Sequence, residues 1–232
     1  DISSLGFSPE IALEPRTRYF WRVEVTADNG DSGVSETAWF ETAKMDGAWQ
    51  AEWIRAPFDK DVHPILTRPF TLRAKPVRAR VYAVGLGVYE MTVNGRKAGD
   101  EVLAPFYNDY NNWIQYQTYD VTDLLREGEN HIDAWLGNGW YKGRFGFVDK
   151  LKELYGDRQK LLLELRADMP DGSQIVIGTD ESWRCRKSPV LESSIYDGEV
   201  YDSRLISGEW TDDVRIAQAP EAPVVERMSP PV

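Results

Sequence analysis

The chain has 232 residues, a formal net charge of -11 and a single cysteine, Cys185. A negative balance of this size argues against nucleic acid or an anionic membrane surface as a partner, because both are bound through a basic face. One cysteine excludes an internal disulfide framework and a cysteine-based zinc site, and no apolar run reaches membrane-spanning length.

Residues 1–45 look like the end of a larger domain. Apolar residues alternate with others in the middle of this segment, which predicts a strand with one apolar face: Tyr19, Trp21, Val23 and Val25. A turn at residues 28–30 leads to a second predicted strand, which ends at Phe40. Four residues have the spacing of the tyrosine corner of an immunoglobulin-like sandwich: Leu13, Pro15, Thr17 and Tyr19.

These first residues resemble the last two or three strands of a fibronectin type III domain. A hairpin by itself is marginally stable in water, so we expect this one to use a neighbouring surface or to be mobile. No signal peptide opens the sequence, but a segment that looks cut from a domain predicts nothing about export or compartment.

From residue 46 onward, short strand patterns alternate with turn residues. The first three predicted strands are residues 68–72, 77–84 and 88–93. The dipeptide Asn94-Gly95 is the strongest short hairpin signal, because both turn positions need positive φ. A long loop rich in Asn, Asp and aromatic residues is predicted at 100–112.

The stretch from 110 to 146 organises the rest of the chain. A strand pattern over 115–119 is followed by one helical turn, which Asp120 is predicted to cap with Asp123 at its N3 position; Gly128 offers a left-handed exit. The next strand places apolar residues on one face: Ile132, Ala134 and Leu136. It leads into a Gly/Asn/aromatic loop at 137–141, where a ligand is expected.

The remaining residues complete an all-β fold. Further strands are predicted at 160–167, 174–178, 182–186, 190–191 and Tyr201, with a charged loop or short helix at 150–158. Leu161, Leu163 and Leu165 form one apolar face, and Cys185 is expected as a small buried side chain. Many short strands with regular turns predict an antiparallel β-sandwich, of the jelly-roll form. The composition of residues 223–232 predicts an interdomain linker.

Four motifs in order carry a family resemblance. They are the VNG of 93–95, the APF of 104–106, the YQTYDVTDLLREGEN and LGNGWYKGRFG of the 110–146 stretch, and the YDGEVYDSR of 196–204. Together they resemble the N-terminal accessory domain of bacterial alpha-L-rhamnosidases over about residues 47–225. The resemblance implies a galactose-binding-like β-sandwich at 46–222, after a partial fibronectin III-like hairpin at 1–45. It also implies a parent enzyme that hydrolyses rhamnosides by inversion in an (alpha/alpha)6 barrel outside this chain, so no catalytic residue is predicted here.

The acidic residues near the end of the sandwich have two interpretations. Glycosidases need two carboxylates that flank the scissile bond, and four lie close together: Glu192, Asp197, Glu199 and Asp202. The alternative, which we favour, is that they cap turns and hold Arg204 or backbone amides.

Carbohydrate binding is the leading functional hypothesis. A pyranose needs an aromatic face and a few convergent polar groups. Two loops could supply both if they meet at one end of the sandwich: Asn108, Asp109 and Trp113 on the first, with Asn138, Trp140 and Tyr141 on the second. The alternative is that residues 137–143 form a tight loop in which Trp140 packs inward. The chain would then be a structural spacer, with apolar patches where the rest of the polypeptide docks.

A calcium ion is a further implication of the resemblance, because some members bind rhamnose through one. Calcium takes six to eight oxygen ligands, and the candidates here are Glu90, Asp109 and Asn138 with backbone carbonyls of the 138–143 loop. The expected partners are a rhamnose-containing glycan or glycoside and the missing domains of the same polypeptide. His63 and His131 lie far apart in sequence without a third ligand, so no zinc site is predicted.

Overall fold

Strands make up nearly all of the regular structure. A computed structural model describes residues 9–45, 47–146, 151–210 and 212–226, and the chain divides into two units, Asp1–Ala48 and Trp49–Val232. The only α-helix in these residues is α1, the four-residue turn Gly139–Lys142. No helix in the described residues is long and apolar enough to span a membrane.

The first unit is a hairpin interrupted at residues 22–23 and 35–37. Its strands are β1 Arg18–Trp21, β2 Glu24–Thr26, β3 Ser32–Val34 and β4 Ala38–Glu41, with β1 antiparallel to β4 and β2 antiparallel to β3. The Tyr19 hydroxyl accepts the backbone N–H of Glu14 at 2.7 Å, which confirms the predicted tyrosine corner. Its ring stacks on Phe40 at 5.3 Å. The two predicted strands are therefore confirmed.

Several large apolar side chains of this unit are solvent-exposed. Six of them are at least 50% accessible: Phe20, Val25, Val34, Trp39, Ile11 and Trp21. A two-stranded ribbon cannot bury both of its faces. That a neighbouring surface covers these residues stays a prediction.

In its described residues, the second unit contains fifteen short strands and two 3-10 turns. The first eight strands are β5 Ile54–Arg55, β6 Pro64–Leu72, β7 Arg78–Leu86, β8 Val88–Val93, β9 Arg96–Lys97, β10 Ile114–Asp120, β11 Gly128–Gly137 and β12 Lys160–Asp168. The next seven are β13 Gln174–Gly178, β14 Arg184–Lys187, β15 Val190–Ser194, β16 Gly198–Tyr201, β17 Asp212–Asp213, β18 Arg215–Ile216 and β19 Val224–Glu226. The 3-10 turns are Thr122–Leu124 and Ser203–Leu205.

Two sheets form the sandwich, as predicted for the fold class. One has seven strands in the order β18-β5-β12-β7-β10-β19, with β13 also paired to β12; the other has six in the order β17-β14-β6-β11-β8-β9. Hairpin β15–β16 stands apart from both sheets. All pairs are antiparallel except β10 with β19. Val224–Glu226 thus extends a sheet where the sequence predicted linker, and residues 227–232 of that linker lie outside the described residues.

Successive strands β7 and β8 belong to different sheets, so the chain crosses the sandwich between them. Gly87 makes the crossing with φ +116, and a Cβ there would lie 2.2 Å from the Gly137 carbonyl oxygen. Only glycine fits this conformation and this contact. The Asn94-Gly95 hairpin is confirmed by φ values of 53° and 76°.

The core lies between the sheets and follows the predicted faces. Ile132 and Ala134 of β11 are fully buried, as are Leu161, Leu163 and Leu165 of β12. Cys185 is also buried and free, and burial raises the pKa of its thiol to about 12. These interior residues confirm the alternation read from the sequence.

Strand β12 is buried on its second face as well, which the sequence did not predict. Residues 49–53, the cover segment, lie across that face. The Gln50 N–H donates to Glu164 Oε2 at 2.5 Å, Glu52 N–H donates to the Thr179 carbonyl at 2.7 Å, and Trp49 packs edge-on against Tyr116 at 5.8 Å. Glu164 is completely buried as a result.

The turn before β11 corrects one prediction. It is a 3-10 turn whose N-cap is Val121, with no side-chain cap, so Asp120 is one residue too early for the cap role. Asp120 Oδ1 instead accepts from the N–H and the hydroxyl of Thr122, at 3.0 and 2.7 Å. The left-handed exit at Gly128 is confirmed by φ +87. At the other end of β11, the predicted loop contains the helical turn α1.

Candidate functional site

The two predicted ligand loops do meet, through a cluster of aromatic rings. Tyr110 of the first loop lies 5.1 Å from Tyr141 and 5.0 Å from Tyr155, measured between ring centroids. Tyr107 lies 5.6 Å from Phe145, and its hydroxyl is 2.8 Å from that of Tyr155. Burial raises the pKa of Tyr110 to about 12. The contacts of this cluster are therefore mostly between its own rings, and Tyr107 remains 45% exposed.

The amides proposed to bind sugar have protein partners. Asn108 is fully buried; its Nδ2 donates to the Phe106 carbonyl at 2.7 Å and its Oδ1 accepts the Gln115 N–H at 2.9 Å. Asn138 Nδ2 donates to the Ser193 carbonyl at 2.9 Å, and its Oδ1 accepts from Gln159 Nε2 at 2.6 Å. Both side chains hold loops together in this arrangement.

The other predicted sugar contacts differ in accessibility. Asp109 closes its own turn, accepting from Asn112 Nδ2 at 2.6 Å. Tyr141 is 7% exposed, whereas Trp113 is 36% exposed and Trp140 is partly buried. Of the six residues, the two tryptophans offer ring surface to solvent.

The predicted calcium ligands do not fit a cation site. Glu90 Oε2 pairs with Lys97 Nζ at 2.9 Å, Asp109 is occupied by Asn112, and Asn138 Oδ1 by Gln159. Calcium needs six to eight convergent oxygens. Within the described residues, no group of three or more His, Cys, Asp and Glu side chains is placed to hold a metal.

A groove of about 390 Å³ lies beside these loops. The start of β8 and the end of β11 form one side, and hairpin β15–β16 forms the other. Two aromatic and four polar side chains on its wall could contact a ligand: Trp135, Tyr201, Glu90, Glu101, Glu199 and Ser193. The remaining wall is largely apolar, with residues such as Val88, Leu103 and Val190. We refer to this feature as the groove.

Hairpin β15–β16 is held in place by Asn138 of the second predicted loop and by Arg144, which directly follows that loop. Asn138 binds the Ser193 carbonyl, and Arg144 forms two bonds to the Asp197 carboxylate, at 3.1 and 2.7 Å. The Arg144 guanidinium also lies 5.2 Å from the centre of the Tyr196 ring. The sequence-predicted loop thus contributes to the groove by positioning its opposite wall.

Two of the four nearby carboxylates, Asp197 and Asp202, fit the interpretation that we favoured. Asp202 accepts from the backbone N–H of Arg204 at 3.1 Å and from its guanidinium at 2.8 and 2.6 Å. Asp197 forms an ion pair with Arg144. These ion pairs lower the pKa of both Asp197 and Asp202. They are turn-forming and pairing residues.

Sequence reasoning missed the groove. Glu199 was predicted to be a catalytic acid or a turn-capping residue, and no role was predicted for Trp135. Glu101 and Tyr201 were not considered as ligand residues. The available signal was Trp135, a large aromatic on the non-core face of a strand, because a tryptophan ring can supply the apolar face that a sugar ring needs.

A buried histidine lies under the groove wall. His63 is 3% exposed, neither ring nitrogen has a hydrogen-bond partner in the described residues, and its carbonyl accepts the Ser188 N–H at 2.8 Å. Burial lowers the pKa of the imidazole, and the nearby Lys142 ammonium adds to this. Lys142 itself is buried, with Nζ 3.2 Å from Asp61 Oδ1.

Because the pKa of His63 is lowered in the folded protein, the free energy of unfolding should fall as the pH drops below about 6.5, the pKa of histidine in the unfolded chain. The unfolded chain takes up a proton there while folded His63, with its lowered pKa, does not. Between pH 7.5 and 5.5 the loss is at most about 1.4 kcal/mol. Urea unfolding at several pH values measures it.

His63→Leu should flatten this pH dependence, because it removes the group whose pKa is lower in the folded state than in the unfolded chain. His131→Gln is the control, since His131 is 43% exposed at its side chain and is the second of only two histidines. An unchanged slope in His63→Leu would contradict the assignment.

The fold and groove define a β-sandwich accessory domain that follows immunoglobulin-like strands. Residues 74–232 match the family described as the alpha-L-rhamnosidase N-terminal domain, and residues 3–46 match the Rha78A-like N-terminal immunoglobulin domain. The chain belongs to the alpha-L-rhamnosidase N-terminal domain family.

Similar sequences agree with this assignment. An alpha-L-rhamnosidase of Streptomyces avermitilis is 38% identical over 186 residues, which cover 79% of this chain and 17% of the relative. One of Formosa agariphila is 34% identical over 215 residues, covering 86% and 23%. The chain thus spans less than a quarter of the length of these curated relatives.

Solved structures share the fold. Native alpha-L-rhamnosidase of Aspergillus terreus superposes with a TM-score of 0.86 at 31% identity, over 94% of this chain and 27% of that one. The Streptomyces avermitilis enzyme complexed with L-rhamnose gives a TM-score of 0.84 at 21% identity, over 94% and 39%. The family resemblance and the fold class predicted from the sequence are confirmed.

Proposed function

We propose that this chain is the noncatalytic part of an alpha-L-rhamnosidase and that its groove binds a rhamnose-type sugar. The observation that carries the proposal is a groove with aromatic rings and carboxylates on the same wall. The acid and base for inverting hydrolysis would lie in the remaining three quarters of such an enzyme. Its substrate would be a rhamnose-containing glycan or glycoside.

The size of the groove suits one sugar ring. Its volume of about 390 Å³ falls in the usual range for small-molecule sites, about 300–1,000 Å³. Trp135 and Tyr201 would supply apolar faces for the C–H groups of the ring. Glu101, Glu199 and Ser193 would accept or donate hydrogen bonds to its hydroxyls.

L-rhamnose is the first ligand to test, since a protein with the same fold was solved with that sugar. In NMR titrations we expect millimolar binding that Trp135→Ala weakens by at least about tenfold, or ~1.4 kcal/mol, because the stacking surface is lost. Trp135 projects from the non-core face of β11, so the variant should remain folded.

Trp113→Ala is the matched control, because it removes a tryptophan of the originally predicted loop. Loss of binding in Trp113→Ala, with Trp135→Ala unaffected, would move the sugar site to the loops around 108 and 138. Absence of binding at high sugar concentration would reject a sugar site. That result would favour the alternative role, a structural spacer on which the rest of the polypeptide docks. Exposed apolar residues in the β15–β16 region support this role: Leu191, Val200, Leu205 and Ile206, each at least 46% accessible.

A further inference from the structure

We infer that the outer face of the six-stranded sheet carries a second sugar subsite, so that the chain binds an oligosaccharide rather than a single sugar. The inference rests on the proposed sugar-binding function and identifies the ligand class as a glycan of several units. It follows from a second pocket on the same face of the sheet as Trp135, and from the polar strip that joins this pocket to the groove.

The second pocket lies at the other end of strands β6 and β11 from the groove. It has a volume of about 360 Å³, and its lining includes Phe70, Thr71, Arg126, Glu129 and His131. Like the groove, it falls in the range of about 300–1,000 Å³ that is usual for small-molecule sites. Among the described residues, none lines both the groove and the second pocket, so the two are separate.

Strand β11 runs from the groove to the second pocket. Its side chains alternate between the core and the outer face of the sheet, which places Trp135 of the groove and His131 of the second pocket on the outer face. The two residues are four positions apart, or about 13 Å along the strand. This distance exceeds the length of one pyranose ring, so a ligand that contacts both pockets contains more than one sugar unit.

The strip between the two pockets is polar. Asp133 lies midway between Trp135 and His131 on the outer face of β11. Its Oδ1 accepts the Thr67 hydroxyl at 2.5 Å, and its Oδ2 lies 3.6 Å from His131 Nε2. Thr92 of β8 is opposite Asp133 in the sheet. Hydroxyl and carboxylate groups in this position can bond to the hydroxyls of sugar units that bridge the pockets.

The second pocket offers both donors and acceptors. A sugar hydroxyl donates and accepts hydrogen bonds, so a mixed set of polar groups matches it. The Arg126 guanidinium supplies donors, and its Nε–H donates to the Glu129 carbonyl at 3.1 Å, which fixes the side chain beside the pocket. The Glu129 carboxylate accepts hydrogen bonds and the Thr71 hydroxyl does both; all three residues are exposed. His131 adds a ring that is 43% exposed.

The test is a series of ligands of increasing length, from methyl L-rhamnoside to linear L-rhamnose oligosaccharides of two to five units. In NMR titrations of the whole chain, we expect the longest oligosaccharides to bind at least about tenfold more tightly than the monosaccharide, because the second contact becomes intramolecular. Amide signals near Trp135 should shift with every ligand. Signals of residues 126–131 should shift only with the longer ones.

Arg126→Ala combined with Glu129→Ala should remove the gain in affinity with length, because both exposed polar groups of the second pocket are lost. Binding of methyl L-rhamnoside reports that the groove of this variant is intact. The matched control is Arg22→Ala with Glu24→Ala, which removes another exposed Arg–Glu pair that lines neither pocket. It should keep the full gain.

Equal affinity for all lengths in the wild type overturns the inference and leaves sugar binding in the groove standing. A double variant that keeps the gain with length also overturns it, since the additional sugar units would then lie elsewhere. The amide shifts of residues 126–131 test the same point in the wild type without any substitution. Failure of every member of the series to bind overturns the proposed function and the second subsite with it.

Discussion

Glu164→Ala is expected to lower the free energy of unfolding by about 3–5 kcal/mol, the usual cost of breaking a buried ion pair. Glu164 is fully buried; its Oε1 lies 2.5 Å from Arg166 Nε, and its Oε2 accepts the Gln50 N–H at 2.5 Å. The Arg166 side chain is only 11% exposed. Truncation would leave a nearly buried guanidinium short of its carboxylate and detach the cover segment from β12.

Urea unfolding followed by circular dichroism measures this loss. Glu164→Gln should cost less than Glu164→Ala, because the amide oxygen can still accept the Gln50 N–H. Glu129→Ala, an exposed glutamate on β11, is the control and should change stability by less than about 0.5 kcal/mol. A cost below about 1 kcal/mol for Glu164→Ala would show that the pair does not hold the cover segment.

Trp183→Ala should lower the free energy of unfolding by about 3–5 kcal/mol, because it removes most of the largest fully buried side chain of the core. The Trp183 side chain is 0% exposed, and its Nε1–H donates to the Gly178 carbonyl at 2.9 Å. The substitution therefore creates a cavity and leaves a carbonyl without its donor.

The same unfolding measurement separates the two causes. Trp183→Phe keeps much of the ring volume and loses only the Nε1–H donor, so we expect a cost of about 1–2 kcal/mol beyond any repacking. Trp113→Ala, at a 36% exposed tryptophan, should have little effect on stability. Similar stabilities for Trp183→Ala and the wild type would mean that the core closes around the missing ring.

Local patterns predicted much of this fold because they depend on neighbouring residues. The alternation of Ile132, Ala134 and Leu136, the hairpin at Asn94-Gly95 and the tyrosine corner at Tyr19 all act within a few residues of each other. Each of these local patterns indicates which face of a strand is apolar or which turn is favourable. The cap assigned to Asp120 was wrong by one residue, since short 3-10 turns have weaker boundary signals than longer helices.

The site depended on contacts that no local pattern contains. Asn138 and Trp113 were proposed as sugar contacts from their loops alone. The partners that occupy the Asn138 amide, Ser193 and Gln159, are distant in sequence. The wall of the groove likewise combines Glu101, Trp135 and Glu199, which come from a loop, a central strand and a separate hairpin.

The sequence by itself determined the all-β class, the positions of most strands, the inward faces and the family resemblance, because periodicity and turn chemistry are local properties. Only the tertiary structure decided which strands share a sheet, that the cover segment buries the second face of β12, and that a groove forms beside hairpin β15–β16. These features arise from pairing and packing between residues far apart in the chain, where the free energy depends on three-dimensional contact and not on sequence spacing.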